Sequence, residues 1–125
     1  MAKFANDAVL DTLLAKVATG TVLTLCSQQP TTRTEAVTTY KLADVTMTAG
    51  DGNGDYVIAN GDTSGRKLTV QAQPSVPVDT TGTATHVAIC DGSTLLFVTT
   101  CTSQLISVGN TVTIAAWDIE VADPV

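Results

Sequence analysis

Hydrophobic positions fall in short strand-length runs separated by turn residues along most of this chain, and one stretch near the start follows a different spacing. In NDAVLDTLLAKV, Leu10, Leu13, Leu14 and Val17 fall at i, i+3, i+4 and i+7, which is the spacing of a single helical stripe. Asn6 or Asp7 is placed to cap the start, Lys16 sits where the negative end of the helix dipole develops, and Gly20 stands just beyond. The spacing predicts a helix over 6–18. A stripe of this kind requires cover, either from the rest of the fold or from a neighbouring subunit.

From residue 21 onward the pattern is that of strands. TVLTLC at 21–26 is a short apolar run closed by SQQPTT, and a second extended segment spans 36–42. Gly50, Gly52, Gly54, Gly61 and Gly65 then crowd among Asp and Asn, a turn composition with a brief strand at 56–58, before a strand resumes at 67–72. Pro74 and Pro77 mark a loop or a sheet edge. Asp91-Gly92 separates two apolar runs and predicts a two-residue hairpin that sets Cys90 against Ser93, Ala88 against Leu95, Val87 against Leu96 and His86 against Phe97. Both faces of that pair are apolar, so it is either central between layers or covered by another copy.

The closing strand changes phase. Val112 and Ile114 alternate with Thr, whereas Trp117, Ile119 and Val121 alternate with acids on the opposite parity; one strand can keep all five on one face only with an extra residue near Ala115-Ala116, which predicts a β-bulge. These elements together predict a mainly β fold, a two-sheet antiparallel β-sandwich with one N-terminal α-helix. Length predicts a single domain over 1–125, with the helix at 6–18 and the sandwich at 21–122.

Composition strengthens the β reading and narrows the function classes. Charged residues make up 14% of the chain against about a quarter in ordinary domains, and Thr is the commonest residue, which favours pleated, half-buried surfaces. The net charge of −6 is uneven: all six basic residues lie in the first 67 positions, and beyond them only Asp79, Asp91, Asp118, Glu120 and Asp123 carry charge. A nucleic-acid binder needs clustered cations to neutralise phosphates, so no nucleic-acid partner is expected. The opening residues are broken by Asn6, Asp7, Asp11 and Lys16, so neither a signal peptide nor a membrane partner is expected and folding in a cytoplasm is.

The residues that could carry chemistry are few. Cys26, Cys90 and Cys101 form no C-x-x-C pair and are accompanied by one histidine, so they read as core thiols or, in an oxidising medium, as a disulfide within the chain or to a neighbour with one thiol left over. Asp51, Asn53, Asp55 and Asp62 trace an EF-hand outline, but Tyr56 occupies the position that requires Gly. His86 sits mid-strand and reads as a packed or hydrogen-bonded ring, and Asp118 with Glu120 reads as the solvated face of a strand. No catalytic residue, cofactor or metal is assigned, and the chain reads as a non-enzyme. Phe97 and Trp117 read as core residues that could also anchor an interface, as could the helix stripe.

Taken whole, the segments NDAVLDTLLAKV, LCSQQPTT, TSGRKLTV, GTATHVAICDGSTLLFVTTC and TVTIAAWDIEVADP resemble a family of small virion structural proteins of tailed bacteriophages, over nearly the full length. In size, charge and β content the chain is similar to capsid decoration or cement proteins. The resemblance implies a virion protein assembled in the host cytoplasm, with the major capsid protein or other virion proteins as partners and with self-association into a homo-oligomer. The alternatives it leaves open are a neck, collar or tail component, and a host-receptor or glycan-binding module whose contact surface would be the Gly/Asp loop.

Overall fold

The computed structural model describes residues 4–124. Among them the fold is mostly β, with antiparallel sheets and an N-terminal helix, α1, spanning Asp7–Val17. Nine strands follow: β1 (Val22–Cys26), β2 (Lys41–Thr46), β3 (Tyr56–Asn60), β4 (Arg66–Val70), β5 (Gln73–Pro77), β6 (Gly82–Cys90), β7 (Leu95–Ile106), β8 (Thr111–Ile114) and β9 (Trp117–Val121). A short π-helical turn, Glu35–Thr39, lies between β1 and β2. The chain groups into two compact units, one formed by the described residues of Met1–Thr19 with Thr48–Ala72 and Ala115–Val125, the other by Gly20–Met47 with Gln73–Ile114.

The first unit is a three-stranded sheet, ordered β3-β4-β9, under α1. Asn6 caps the helix: its side chain accepts a hydrogen bond from the Ala8 amide at 2.8 Å, satisfying one of the donors that the first turn leaves open. Leu10, Leu14 and Ala18 are buried, while Leu13 points outward. Register pairs Tyr56 with Val70, Ile58 with Leu68, Leu68 with Ile119 and Val70 with Trp117. Since alternate residues share a face, Tyr56, Ile58, Leu68, Val70, Trp117 and Ile119 line one side, and Tyr56, Leu68 and Val70 are fully buried there. Arg66 falls on the same side of β4 and reaches α1, its Nε donating to Asp11 Oδ1 at 2.7 Å. The other side is polar, with Thr69 donating to Asp118 at 2.8 Å and Lys67 bridging Asp62 and Asp118.

The second unit holds a four-stranded sheet, ordered β2-β1-β6-β7, and a two-stranded ladder of β5 with β8. Its central strand β1 is buried from Leu23 to Cys26, so it is covered on both faces. On one of them Cys26, Ala88 and Cys90 form a cluster with Ala36 of the π-helical turn, and Val22, Val37, Tyr40, Leu95 and Val98 pack against it. The turn is held by Glu35, whose Oε1 accepts from both the amide and the hydroxyl of Thr31 at 2.8 Å.

Two expectations about the second half are corrected. The β6–β7 connection is a four-residue loop, 91–94, and not a two-residue turn: Asp91 donates its amide to the Thr94 carbonyl at 3.0 Å, and its Oδ1 accepts from the amides of Ser93 and Thr94. An aspartate that satisfies two downstream amides makes the longer turn self-contained. The register slips accordingly. Cys90 pairs with Leu95, Ile89 with Phe97, Ala88 with Val98, Val87 with Thr99 and His86 with Thr100, so Phe97 lies opposite Ile89 and not His86.

The phase change in the closing segment is real, but its cause is a change of strand and not a bulge. β8 ends at Ile114 and pairs with β5, whereas β9 begins at Trp117 and pairs with β4 in the other unit. Val112 and Ile114 therefore never had to share a face with Trp117, Ile119 and Val121. Bulges or register irregularities occur instead at Leu25/Cys26, Gln73/Val76, Ala84/His86 and Ile89/Cys90.

Candidate functional site

The groups most able to do chemistry are each engaged locally. The Cys26 thiol lies 3.5 Å from Thr24 Oγ1 and donates to the Ala36 carbonyl at 3.6 Å. Burial pushes its pKa up against the lowering effect of the Thr24 contact, and nearby Cys101 adds to the rise. Burial likewise raises Cys90, opposed by the positive charge of Arg33, and raises Cys101. All three are free thiols, with Cys26 and Cys90 buried and Cys101 half-buried. A thiol held above its ordinary pKa is a poor nucleophile at neutral pH; here the sulfurs act as small apolar packing groups.

His86 is half-buried on β6, opposite Cys26 on one side and Thr100 on the other. Its Nδ1 lies 2.8 Å from the Thr85 hydroxyl, which also sits 3.5 Å from the Cys26 carbonyl. The contacts orient the ring within the sheet and bring no carboxylate to it.

The Gly/Asp loop turns its acids inward on its own backbone. Asp55 Oδ2 accepts from the Thr48 amide at 2.6 Å, Asp51 Oδ1 accepts from the Ile58 amide at 2.8 Å, and Asn53 donates to the Ala49 carbonyl at 2.8 Å. Gly50, Gly52 and Gly54 supply the positive φ angles of 101°, 79° and 114° that the turns require. Asp62 is paired with Lys67 at 2.8 Å, away from Asp51 and Asp55 in the hydrogen-bond pattern. Among the described residues no set of three potential ligands is gathered to hold a metal ion. Asp118 and Glu120 share the polar side of β9, where Asp118 serves Thr69 and Lys67 and Glu120 Oε1 accepts from the Thr63 amide at 3.5 Å.

What the surface offers instead is exposed apolar area. Of the helix stripe, Leu10 and Leu14 turn into the fold and Val17 is half-buried, while Leu13 is 56% exposed. Val9, one helical turn before Leu13, is 57% exposed, and Phe4, ahead of the helix, is 86% exposed. Phe4 also lines an open recess of about 330 Å³ with Ala5, Asp7, Asp123 and Pro124. Phe97 and Trp117 are half-buried. Leu105 near the end of β7 and Val108 just after it are exposed as well. Sequence periodicity grouped the exposed Leu13 with the buried Leu10 and Leu14 and passed over Phe4 and Val9, because apolar spacing alone does not say which part of an apolar surface meets the sheet.

Among the described residues no helix is long and apolar enough to cross a membrane. No family model, curated protein or solved structure matches this chain.

Proposed function

We propose that this chain is a non-enzymatic structural protein of a tailed-bacteriophage virion, a decoration or cement protein that stabilises the head by binding the major capsid protein in many copies. The observation that carries the reading is the outward-facing apolar set of Val9 and Leu13 on α1 with Phe4 just ahead of it, on a helix that is capped by Asn6 and pinned by the Arg66–Asp11 ion pair. Exposed apolar side chains on a fixed element are what a protein neighbour covers. A shell under internal pressure presents the same junction many times, so modest affinity at each site adds up over the lattice. The acidic balance of the chain suits an exterior position, away from packaged DNA.

The same reading includes the closure of the second unit as a two-sheet sandwich. Leu23 and Leu25 of β1 lie on the face opposite Thr24 and Cys26, beside their partners Ile89 and Val87, and all four are buried. Val76 of β5, Val78 just after it and Ile114 of β8 are buried too, and an isolated bridge between Ala43 and Val78 stitches the two sheets at one edge. Facing the β5–β8 ladder onto the Leu23/Leu25 side would supply the second layer.

Quantifying this chain against the major capsid protein in purified, nuclease-treated particles tests the assignment. Decoration predicts a ratio of the same order as the capsid subunit. A few copies per particle would move the chain to the neck, collar or tail, and its absence from particles would end the virion reading.

A further inference from the structure

The two edges of the four-stranded sheet are finished differently. Along β2, Ala43 bridges Val78, the amides of Asp79 and Thr80 both donate to the Leu42 carbonyl, and Lys41 is held between Asp44 and Asp79 at 3.4 and 3.2 Å. That edge is occupied over Lys41–Ala43. Along β7, among the described residues, no strand pairs on the side away from β6. Natural sheets blunt an open edge with lysine, proline, inward charges or bulges. β7 has two such irregularities, one that leaves Leu96 extra between the Cys90–Leu95 and Ile89–Phe97 pairs and one that leaves residues 101–103 against Thr85, but between them it runs in register from Phe97 to Thr100. It carries no charge and no proline, and neither does any position from 92 to 117.

We infer that β7 pairs antiparallel with β7 of a second copy of this chain, joining two four-stranded sheets about a two-fold axis. Charge selects the occupant. Two copies each carrying −6 repel over most of their surface, and the uncharged run from 92 to 117 is where they can meet without opposing like charges. Symmetry agrees with this choice: an edge strand laid antiparallel on itself is self-complementary and closes as a pair, whereas a sheet with both edges open would grow into a filament. Here the first half of β2 is occupied over Lys41–Ala43, which works against addition at that edge and leaves β7 as the edge that pairs. Leu95, Leu96 and Val98 are only half-buried and Leu105 is 69% exposed, so pairing would cover apolar side chains on both faces of the strand. This pairing gives a form to the self-association that the resemblance implies, and it does not depend on where in a particle the protein resides.

Sedimentation equilibrium on the purified full chain up to about 0.1 mM, far above the concentration that fills a micromolar dimer, is the direct test. The wild type should be a dimer. Thr100→Lys and Thr100→Asp, each at an exposed position on β7, should be monomers with unchanged far-ultraviolet circular dichroism. Mixing the two variants should restore the dimer, a result that misfolding could not produce. A monomeric wild type, a dimer indifferent to both substitutions, or a mixture that stays monomeric would each overturn the pairing. A dimer that never joins particles would sink the virion reading and leave this one standing; a particle-bound monomer would do the reverse.

Discussion

At the scale of single residues, what the side chains do is decided by burial more than by chemistry. Tyr56 is fully buried, and that burial, with a smaller push from the charge of Asp55, raises its pKa from 10.0 to about 12. A phenol whose folded pKa exceeds its unfolded one contributes stability that is complete below the unfolded value and is lost as pH rises toward the folded value. Stability should therefore decline between pH 10 and about 12. Urea denaturation at intervals across that range should show the decline, and Tyr56→Phe should make it shallower, leaving the part due to groups such as Lys67, raised by its bond to Asp62. An unchanged slope would mean that Tyr56 ionises as freely in the fold as in the unfolded chain. The thiols follow the same logic: Cys26, Cys90 and Cys101 are all raised chiefly by burial, as their sequence context as apolar strand residues already suggested.

At the scale of elements, the helix and the strands were legible to different depths. The i, i+3, i+4 spacing located α1 to within a residue at each end, and of the two caps that the sequence offered, Asn6 and Asp7, the helix uses Asn6. The spacing did not separate Leu13 from Leu10 and Leu14, since all three lie on one broad stripe and only the position of β4 decides which are covered. Truncation should expose the difference: Leu14→Ala, at 1% exposure, should cost about 2–5 kcal/mol, while Leu13→Ala should stay within about 0.5 kcal/mol, both by chemical denaturation. Equal costs would contradict the orientation of α1. Among the strands, the parity of Trp117, Ile119 and Val121 was readable and correct for β9, but a phase change looks the same in sequence whether a strand bulges or ends and changes partner. The β6–β7 turn failed for a related reason. Asp-Gly signals a tight turn, yet the Asp91 carboxylate reaches the amides of both Ser93 and Thr94 and so stabilises a longer one.

For the whole molecule, the apolar pattern along the chain identified a mostly β protein with an N-terminal helix, but not which strands share a sheet. Pairings such as β4 with β9 and β1 with β6 join residues far apart in sequence, and no local pattern records them. Nor does local pattern record how the chain groups into two compact units, each built from segments separated in sequence. The surface was the least legible part: Phe4, Val9 and Leu105 differ from core residues only in what surrounds them. On our reading that surroundings is other protein, supplied by the capsid lattice at the helix and by a second copy at β7.

The most direct measurement is an electron cryomicroscopy map of the intact particle produced with this chain present and, in parallel, with it deleted. The account predicts difference density repeated across the head lattice, with Phe4 and the Val9 and Leu13 face of α1 against the shell. Identical heads in the two maps, with the chain recovered only as free protein, would contradict it.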